Sequence, residues 1–262
     1  MFINQVFYLN TTIISFIVKV LCIVPVFNEI LNIEKTLKSV RADNYGVDKF
    51  LFVNSGSNDG SEKILEKSEY EVLNINKNKG IGLTLIKGVD YCIENSFDVL
   101  TVIHGGNKMD TKDFEKILKP ILLDGYDCTW GSRFINNSAY NMPEFRKVTG
   151  KMLSRLVSSF YGTKVTDATN GFRAYKVDLI LKILPRYKRR WLYGYAFESF
   201  LFGKMLNEKN IKKKEVSVTI NYNVDKVNTK IKPILNYPAI FMPYFLAKLL
   251  ILFIEKINNF NK

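Results

Sequence analysis

Four polar loops punctuate the first 110 residues, and they constrain the fold more than any other feature. PVFNE (Pro25 to Glu29) ends the apolar run KVLCIV, and NSGSNDGS (Asn54 to Ser61) ends KFLFV. NKGIG (Asn78 to Gly82) is the third, and HGGNKMD (His104 to Asp110) closes DVLTVI. Each follows a strand-like run and precedes a helical pattern. Strand-length apolar runs alternating with helical patterns are the signature of an α/β protein, a mainly parallel sheet with helices on both faces. In open sheets of this kind ligands bind outside the carboxyl ends of the strands. Four loops on one edge therefore predict one shared pocket.

The helical segments can be placed by their apolar spacing. Ile30, Ile33, Leu37 and Val40 fall on one face of a helix that Asn28 is placed to cap. Leu83, Ile86, Val89 and Ile93 repeat the pattern after Gly82. Thr111, or Asp110 just before it, is placed to cap a third helix with the stripe Phe114, Ile117, Leu118 and Ile121. A longer helix is expected from about Glu144 to Phe160. EVSVTIN (Glu215 to Asn221) alternates as a late strand with one face buried. Asp59 is expected to cap the helix carrying Ile64 and Leu65.

A chain of 262 residues fits one domain with appendages. Residues 1–18 are expected to be an apolar extension, 19–232 the main module, and 233–262 an apolar and basic tail. The cysteines, Cys22, Cys92 and Cys128, sit in apolar runs without disulfide or zinc spacing and read as reduced, buried thiols. A net charge of +13 calls for a polyanionic partner. Nucleic acid, anionic lipid and the phosphates of a sugar nucleotide all qualify. No nucleic-acid-binding motif accompanies the basic residues, so nucleic acid is set aside. Residues 1–18 lack the basic start and small-residue cleavage site of a secretory signal. They read as an extra strand, a membrane-contacting segment, or an artefact of start-codon choice. Ala239 to Ile254 read AIFMPYFLAKLLILFI, short of the roughly 20 apolar residues a spanning helix needs. An interfacial helix flanked by lysines is expected, the alternative being a terminal helix docked on the core or on a second subunit.

Taken in order, these segments resemble the family 2 glycosyltransferases of GT-A fold, and within them dolichol-phosphate mannosyltransferases and bacterial polyprenyl-phosphate sugar transferases. The resemblance covers about 19–231. Besides the four loops and Gly88, it rests on GSRF (Gly131 to Phe134), PEFRKVTG (Pro143 to Gly150), DATNGFRAYK (Asp167 to Lys176), Phe197–Glu198 and EVSVTINY (Glu215 to Tyr222). It implies an inverting transfer of a sugar from a nucleotide diphosphate to a polyprenyl phosphate, on the cytoplasmic face of the cell membrane. Two alternatives stay open: transfer to a glycan hydroxyl, and a catalytically silent relative that binds a nucleotide sugar.

The resemblance also assigns candidate roles. Pro25, Phe27 and Glu29 would pack on base and ribose, the ring stacking and the carboxylate accepting from ribose hydroxyls. Asn54 and Ser55 stand where relatives carry an acidic pair. Lys79, Gly82, His104 and Gly106 complete the donor side. Relatives carry Asp-x-Asp or His-Gly-Asp at the fourth loop, which holds a divalent ion, magnesium or manganese, against the diphosphate. Here the loop is His-Gly-Gly-Asn-Lys, and no Asp-x-Asp occurs in the chain. The expected metal ligands are thus missing. Lys108, with Arg133 and Lys79, is expected either to neutralise the leaving diphosphate instead or to stand solvated in a decayed site. One such charge about 4 Å from a phosphate oxygen is worth roughly 4 kcal/mol at an effective dielectric of 20. Arg133, Arg146, Arg173 and Lys230 are the candidates for the acceptor phosphate. A hydroxyl acceptor would need a base, with Glu198 the first candidate and Asp167 the second.

Overall fold

The computed structural model describes residues 4–9, 12–42, 46–222 and 233–260, with side chains over 18–40, 46–222 and 236–250. Two antiparallel strands, β1 (Asn4–Leu9) and β2 (Thr12–Ile17), form a sheet of their own. The module begins with β3 (Val20–Val26), α1 (Ile33–Ala42), β4 (Lys49–Asn54), α2 (Ser61–Glu66) and β5 (Glu71–Asn74). It continues through α3 (Ile81–Glu94), β6 (Val99–Val102), α4 (Phe114–Leu122), β7 (Cys128–Ser132) and β8 (Ala139–Tyr140). Then come α5 (Glu144–Tyr161), β9 (Arg173–Lys176), α6 (Val177–Ile183), α7 (Ala196–Asn207), β10 (Lys213–Ser217), β11 (Ile220–Asn221) and α8 (Pro233–Phe260).

Seven strands make the main sheet in the order β10-β7-β9-β6-β3-β4-β5, with only β9 antiparallel to its neighbours. The mainly parallel α/β expectation holds. β3 is buried along its whole length, as a central parallel strand covered on both faces must be. Its alternate residues serve opposite faces. Leu21 and Ile23 pack with Val89 of α3 and Leu201 of α7, whereas Cys22 and Val24 pack with Ile33, Phe114 and Ile117. The three cysteines are buried and free, and burial pushes the Cys92 thiol up to about 12. The chain runs outward from β3 to β5 and then returns to β6 on the other side of β3. That reversal opens a crevice at the carboxyl ends of β3 and β6.

Several local expectations need correction. Asn28 does not cap α1. It takes a left-handed backbone with φ 52°, and the helix starts at Ile33 below a turn closed on the Glu29 carbonyl. Ile30 and Ile93 are exposed, leaving Ile33 and Val40, and Leu83, Ile86 and Val89, as the buried stripes. Of the two candidates for the cap before α4, Asp110 takes the position as expected of it, accepting from Lys112 N, and Thr111 does not. EVSVTIN is not one strand: pairing breaks at Val218 and Thr219, so β10 joins the main sheet while β11 pairs with β8. The helix expected from Glu144 to Phe160 is α5, one residue longer. Among the described residues no helix is long and apolar enough to cross a membrane. α8 docks one face on the core, where Tyr244 and Ala247 are buried, and exposes Met242, Leu246, Leu249 and Leu250 on the other.

Candidate active site

The loops after β3, β4, β6 and β7 converge on a cavity of about 540 Å³, closed on its far side by α5, the start of α7, β11 and α8. Backbone bonds fix the floor: Ser55 N donates to Val26 O, and Gly105 N donates to Pro25 O. The first two loops are latched together. Asn28 N donates to Ser57 Oγ, Glu29 N to Ser61 Oγ at 2.8 Å, and Ile30 N to an Asp59 carboxylate oxygen. Asp59 also accepts from Ser61 N, but the cap position of α2 is Gly60, which has no side-chain cap bond, so Asp59 is not the cap expected of it. Partial burial pushes Asp59 up, but hydrogen bonds from Ser61 and Ile30 outweigh it and hold the carboxyl below the usual range.

Of the donor-side candidates, Pro25, Phe27, Glu29, Ser55, His104 and Gly106 line this cavity, and Lys108 does too. Three do not. Asn54 turns into its own loop, accepting from Ser57 N and donating to Asn74, while Ser55 takes the lining place and shares a hydrogen bond with Thr84. Lys79 is exposed to solvent between Asn78 and Gly80, which do line the cavity. Gly82 sits where α3 meets the chain entering α7. Its N–H donates to Gly194 O, and a Cβ there would stand 1.9 Å from Leu192 O. Its hydrogen is a packing requirement and does not touch the cavity.

The acceptor-side candidates separate in the same way. Arg133 is buried against Asp167, to which Nε donates at 2.6 Å and Nη2 at 2.8 Å, with a further bond from its own N–H. Nη2 also reaches Thr169 Oγ1, and Nη1 donates to Tyr222 Oη at 2.6 Å. Burial pushes the Asp167 carboxyl up, but the Arg133 charge and hydrogen bonds prevail and hold it below the usual range. Both Asp167 oxygens are thereby occupied, so this carboxylate is no base for an acceptor hydroxyl; it fixes the arginine. Arg173 lines the cavity although it is largely buried, with its guanidinium on the carbonyls of Ala168, Asn170 and Glu198 and 4.1 Å from the Phe202 ring. Those bonds hold the 168–171 turn. Arg146 on α5 lines the cavity. Lys230 lies outside the described residues.

Glu198, in the first turn of α7, lines the cavity opposite His104. The two approach across Gly171, where a Cβ would stand 2.7 Å from His104 Nε2 and 3.2 Å from Glu198 Oε1. Tyr195 stands beside them; burial and the Glu198 charge push its phenol up.

Two groups of lining residues carried no assigned role from the sequence. Tyr222 receives the Arg133 bond and presents its ring to Lys108 Nζ at 6.0 Å and to the Arg146 guanidinium carbon at 5.9 Å. Tyr237, Ile240, Phe241 and Tyr244 supply an apolar wall from α8. Ile240, Phe241 and Tyr244 lie in a run whose apolar character pointed to lipid, and Tyr237 stands just before it.

A family model described as Glycosyl transferase family 2 matches residues 21–184. The chain belongs to glycosyl transferase family 2. It is 29% identical over 209 residues to the UDP-N-acetylglucosamine--dolichyl-phosphate N-acetylglucosaminyltransferase of Methanococcus voltae, covering 72% of this chain and 81% of that protein. It is 28% identical over 171 residues to the undecaprenyl-phosphate mannosyltransferase of Micrococcus luteus, covering 63% and 69%. The fold is shared with Mycobacterium tuberculosis glucosyl-3-phosphoglycerate synthase in complex with Mn2+, UDP and phosphoglyceric acid. The TM-score there is 0.62 at 17% identity, over 88% of this chain and 77% of that one. This family 2 glycosyltransferase is thus a transferase enzyme on a GT-A frame.

The structural neighbour was solved with Mn2+ bound, and here the cavity carries the carboxylates of Glu29 and Glu198 and the His104 imidazole beside Lys108, Arg133 and Arg146. Hard divalent ions take carboxylate and carbonyl oxygens. Among the described residues no three His, Cys, Asp or Glu side chains gather into a metal-holding group. The end of β6 offers His104, two glycines, Asn107 and Lys108, and the cavity wall beyond it carries Arg133 and Arg146.

Proposed function

We propose that this glycosyltransferase moves a sugar from a nucleoside diphosphate onto a polyprenyl phosphate at a membrane surface. The observation that carries the reading is the composite cavity. Arg133, Arg146 and Lys108 supply positive charge on one wall, and Tyr237, Ile240, Phe241 and Tyr244 supply an apolar wall beside it. A lipid phosphate is an anion joined to a hydrocarbon, and the two walls match its two parts. The relatives named above act, by their names, on dolichyl and undecaprenyl phosphates. A phosphate acceptor is ionised at neutral pH and attacks without a base.

A second reading has one observation in its favour. Glu198 Oε1 faces the cavity beside His104, where a carboxylate could take a proton from a hydroxyl acceptor. Purified protein with a panel of radiolabelled nucleotide sugars and a polyprenyl phosphate separates the two. Incorporation into organic-soluble lipid is expected, and Glu198→Gln should lower the rate less than about tenfold. A water-soluble product together with a loss of about 100-fold or more in Glu198→Gln, the scale of general-base catalysis, would favour the hydroxyl acceptor. Nucleotide binding with no product of either kind would return the silent relative.

The same reading places the protein on the cytoplasmic membrane face, and two exposed stripes support it. Phe145, Val148, Met152 and Leu156 lie on one face of α5, and Met242, Leu246, Leu249 and Leu250 on one face of α8. Phe145 stacks on Tyr237, and Phe160 meets Phe245, so the stripes flank one helix junction that runs to the cavity. Lys151 and Arg155 border the α5 stripe and complement an anionic headgroup layer. Free buried thiols accord with a reducing compartment. Cosedimentation with phosphatidylglycerol vesicles is expected and should fall at least about tenfold in Met152→Glu/Leu246→Glu, with thermal stability unchanged. Equal sedimentation of variant and wild type would remove these stripes from the reading.

A further inference from the structure

Glu215 on β10 stands outside the cavity, yet its side chain reaches the segment that holds the buried arginine of the cavity wall. β10 is the edge strand beside β7, and Glu215 is in register with Trp130 on the strand that leads to Arg133. The Glu215 carboxylate accepts from Thr166 N through both oxygens at 3.0 Å and from Asp167 N at 2.9 Å. Thr166 is also tied to the end of β7, its hydroxyl meeting Ser132 Oγ at 2.6 Å. The residues that follow build the site. The Asp167 side chain holds the Arg133 guanidinium and accepts from Thr169 N, while Asn170 and Gly171 line the cavity. At the far side of the same turn Arg173 Nη2 donates to Ala168 O at 2.8 Å. The turn is therefore gripped at its entry by Glu215 and at its exit by Arg173. Bonds from an N–H to an ionised carboxylate are roughly twice as strong as neutral ones, so the grip at the entry is a firm one. Glu215, Asp167 and Arg133 form a continuous series, each in hydrogen-bond contact with the next, and only the last two members include a residue of the cavity lining.

We propose that Glu215 is a positioning residue for sugar transfer: by holding the Thr166 and Asp167 amides, it sets the carboxylate that fixes Arg133 on the cavity wall. Glu215 touches no substrate and acts through Asp167 and Arg133. The proposal rests on the reading above, in which Arg133 is a cation for the acceptor phosphate. A half-buried carboxylate that only satisfied two amides could be replaced by water at little cost. One that sets the direction of a guanidinium cannot, because a misplacement of about 1 Å in a positioning group costs on the order of 100-fold. The direct bonds between Asp167 and Arg133 survive loss of Glu215, so the expected effect is smaller, about tenfold, and falls on the ligand that Arg133 meets.

Calorimetric titration of the full chain with a short-chain polyprenyl phosphate, and separately with UDP and GDP, reads binding apart from turnover. Glu215→Ala should weaken the Kd for polyprenyl phosphate about tenfold and raise its KM by a similar factor. The Kd of whichever nucleotide binds should stay within about twofold, and kcat within about threefold. Glu215→Gln keeps an oxygen acceptor in place and should restore most of the lost affinity. Glu215→Asp withdraws the carboxylate by one methylene and should show a smaller loss of the same kind, so the comparison stands where alanine does not fold. In an Arg133→Lys background, Glu215→Ala should add less than about twofold, because the fork it acts through is gone and effects within one network do not add. Equal losses of lipid-phosphate and nucleotide affinity would overturn the proposal. So would a fall in melting temperature with both affinities intact, or full multiplication of the two effects in the double variant. Wild-type binding of polyprenyl phosphate without transfer would sink the transferase reading and leave Glu215 to be judged on the Kd values. Transfer to lipid with Glu215→Ala at the wild-type KM would do the reverse. A wild type that binds no polyprenyl phosphate overturns both.

Discussion

Asp167→Asn is expected to destabilise this glycosyltransferase by about 3–5 kcal/mol, because it removes one partner of a buried ion pair and strands the other. Asp167 is fully buried and Arg133 is 8% exposed, so water cannot take over the lost partner. The guanidinium has two contacts to this carboxylate, and asparagine keeps the shape without the charge. At about 2–4 °C per kcal/mol for a chain of this size, the melting temperature should fall by roughly 6–20 °C. The pH dependence has a definite sign. The folded carboxyl lies below its ordinary value, so its contribution is fully present above the unfolded pKa near 4 and is lost as pH falls through the lower folded value. Wild type and variant should therefore differ most at neutral pH and converge in acid. Melting curves at neutral pH and near pH 3 provide the check. A difference below about 1 kcal/mol at neutral pH, or one that does not narrow in acid, would mean that the pair contributes little. Transfer should fail in the variant even where it is folded, because the same carboxylate orients an arginine of the cavity wall.

What the sequence made legible was set by periodicity and by local order. Parallel strands alternating with helices must send the ends of β3, β4 and β6 to one edge, and of the residues expected to meet there Phe27, Lys108 and Arg133 line the cavity while Asn54 does not. Identity of type did not reveal direction within a loop. Asn54 and Ser55 are adjacent, yet one closes its own turn and the other faces the cavity, because successive side chains at a strand end point to opposite sides. Lys79 has the right charge in the right loop and still faces solvent. Arg173 reaches the cavity as its segment implied, and its bonds to three carbonyls, which no local pattern encodes, also brace the turn. Tyr222 was hidden for a different reason. Its bond to Arg133 joins positions 89 residues apart, and no local pattern encodes such a meeting. The α8 wall was visible as an apolar period, but nothing in the sequence said that one face would close the cavity while the other stayed exposed.

Gly82→Ala isolates a coupling that the loop motif conceals. The resemblance puts Gly82 on the donor side, yet Gly82 is the point where the head of α3 touches the backbone entering α7. A methyl group there would lie 1.9 Å from Leu192 O and 2.5 Å from Gly194 O, both backbone atoms that no rotamer change can move aside. The hydrogen bonds from Gly82 N to Gly194 O and from Leu83 N to Tyr193 O would be strained together. Overpacking of this kind costs typically about 1–3 kcal/mol, and a backbone-to-backbone clash belongs at the upper end. The displaced segment leads directly into Tyr195 and Glu198, so relief of the clash moves the cavity wall. Transfer is accordingly expected to fall more than about tenfold, while Gly194→Ala, whose Cβ would meet nothing within 4 Å, should stay near wild type in both stability and rate. Melting curves and steady-state rates on the two variants make the comparison. If Gly82→Ala keeps full stability and loses only nucleotide affinity, the glycine touches the donor after all and the packing account is wrong. If both measures fall together, the first turn of α3 sets the position of the α7 carboxylate across a contact made of backbone alone.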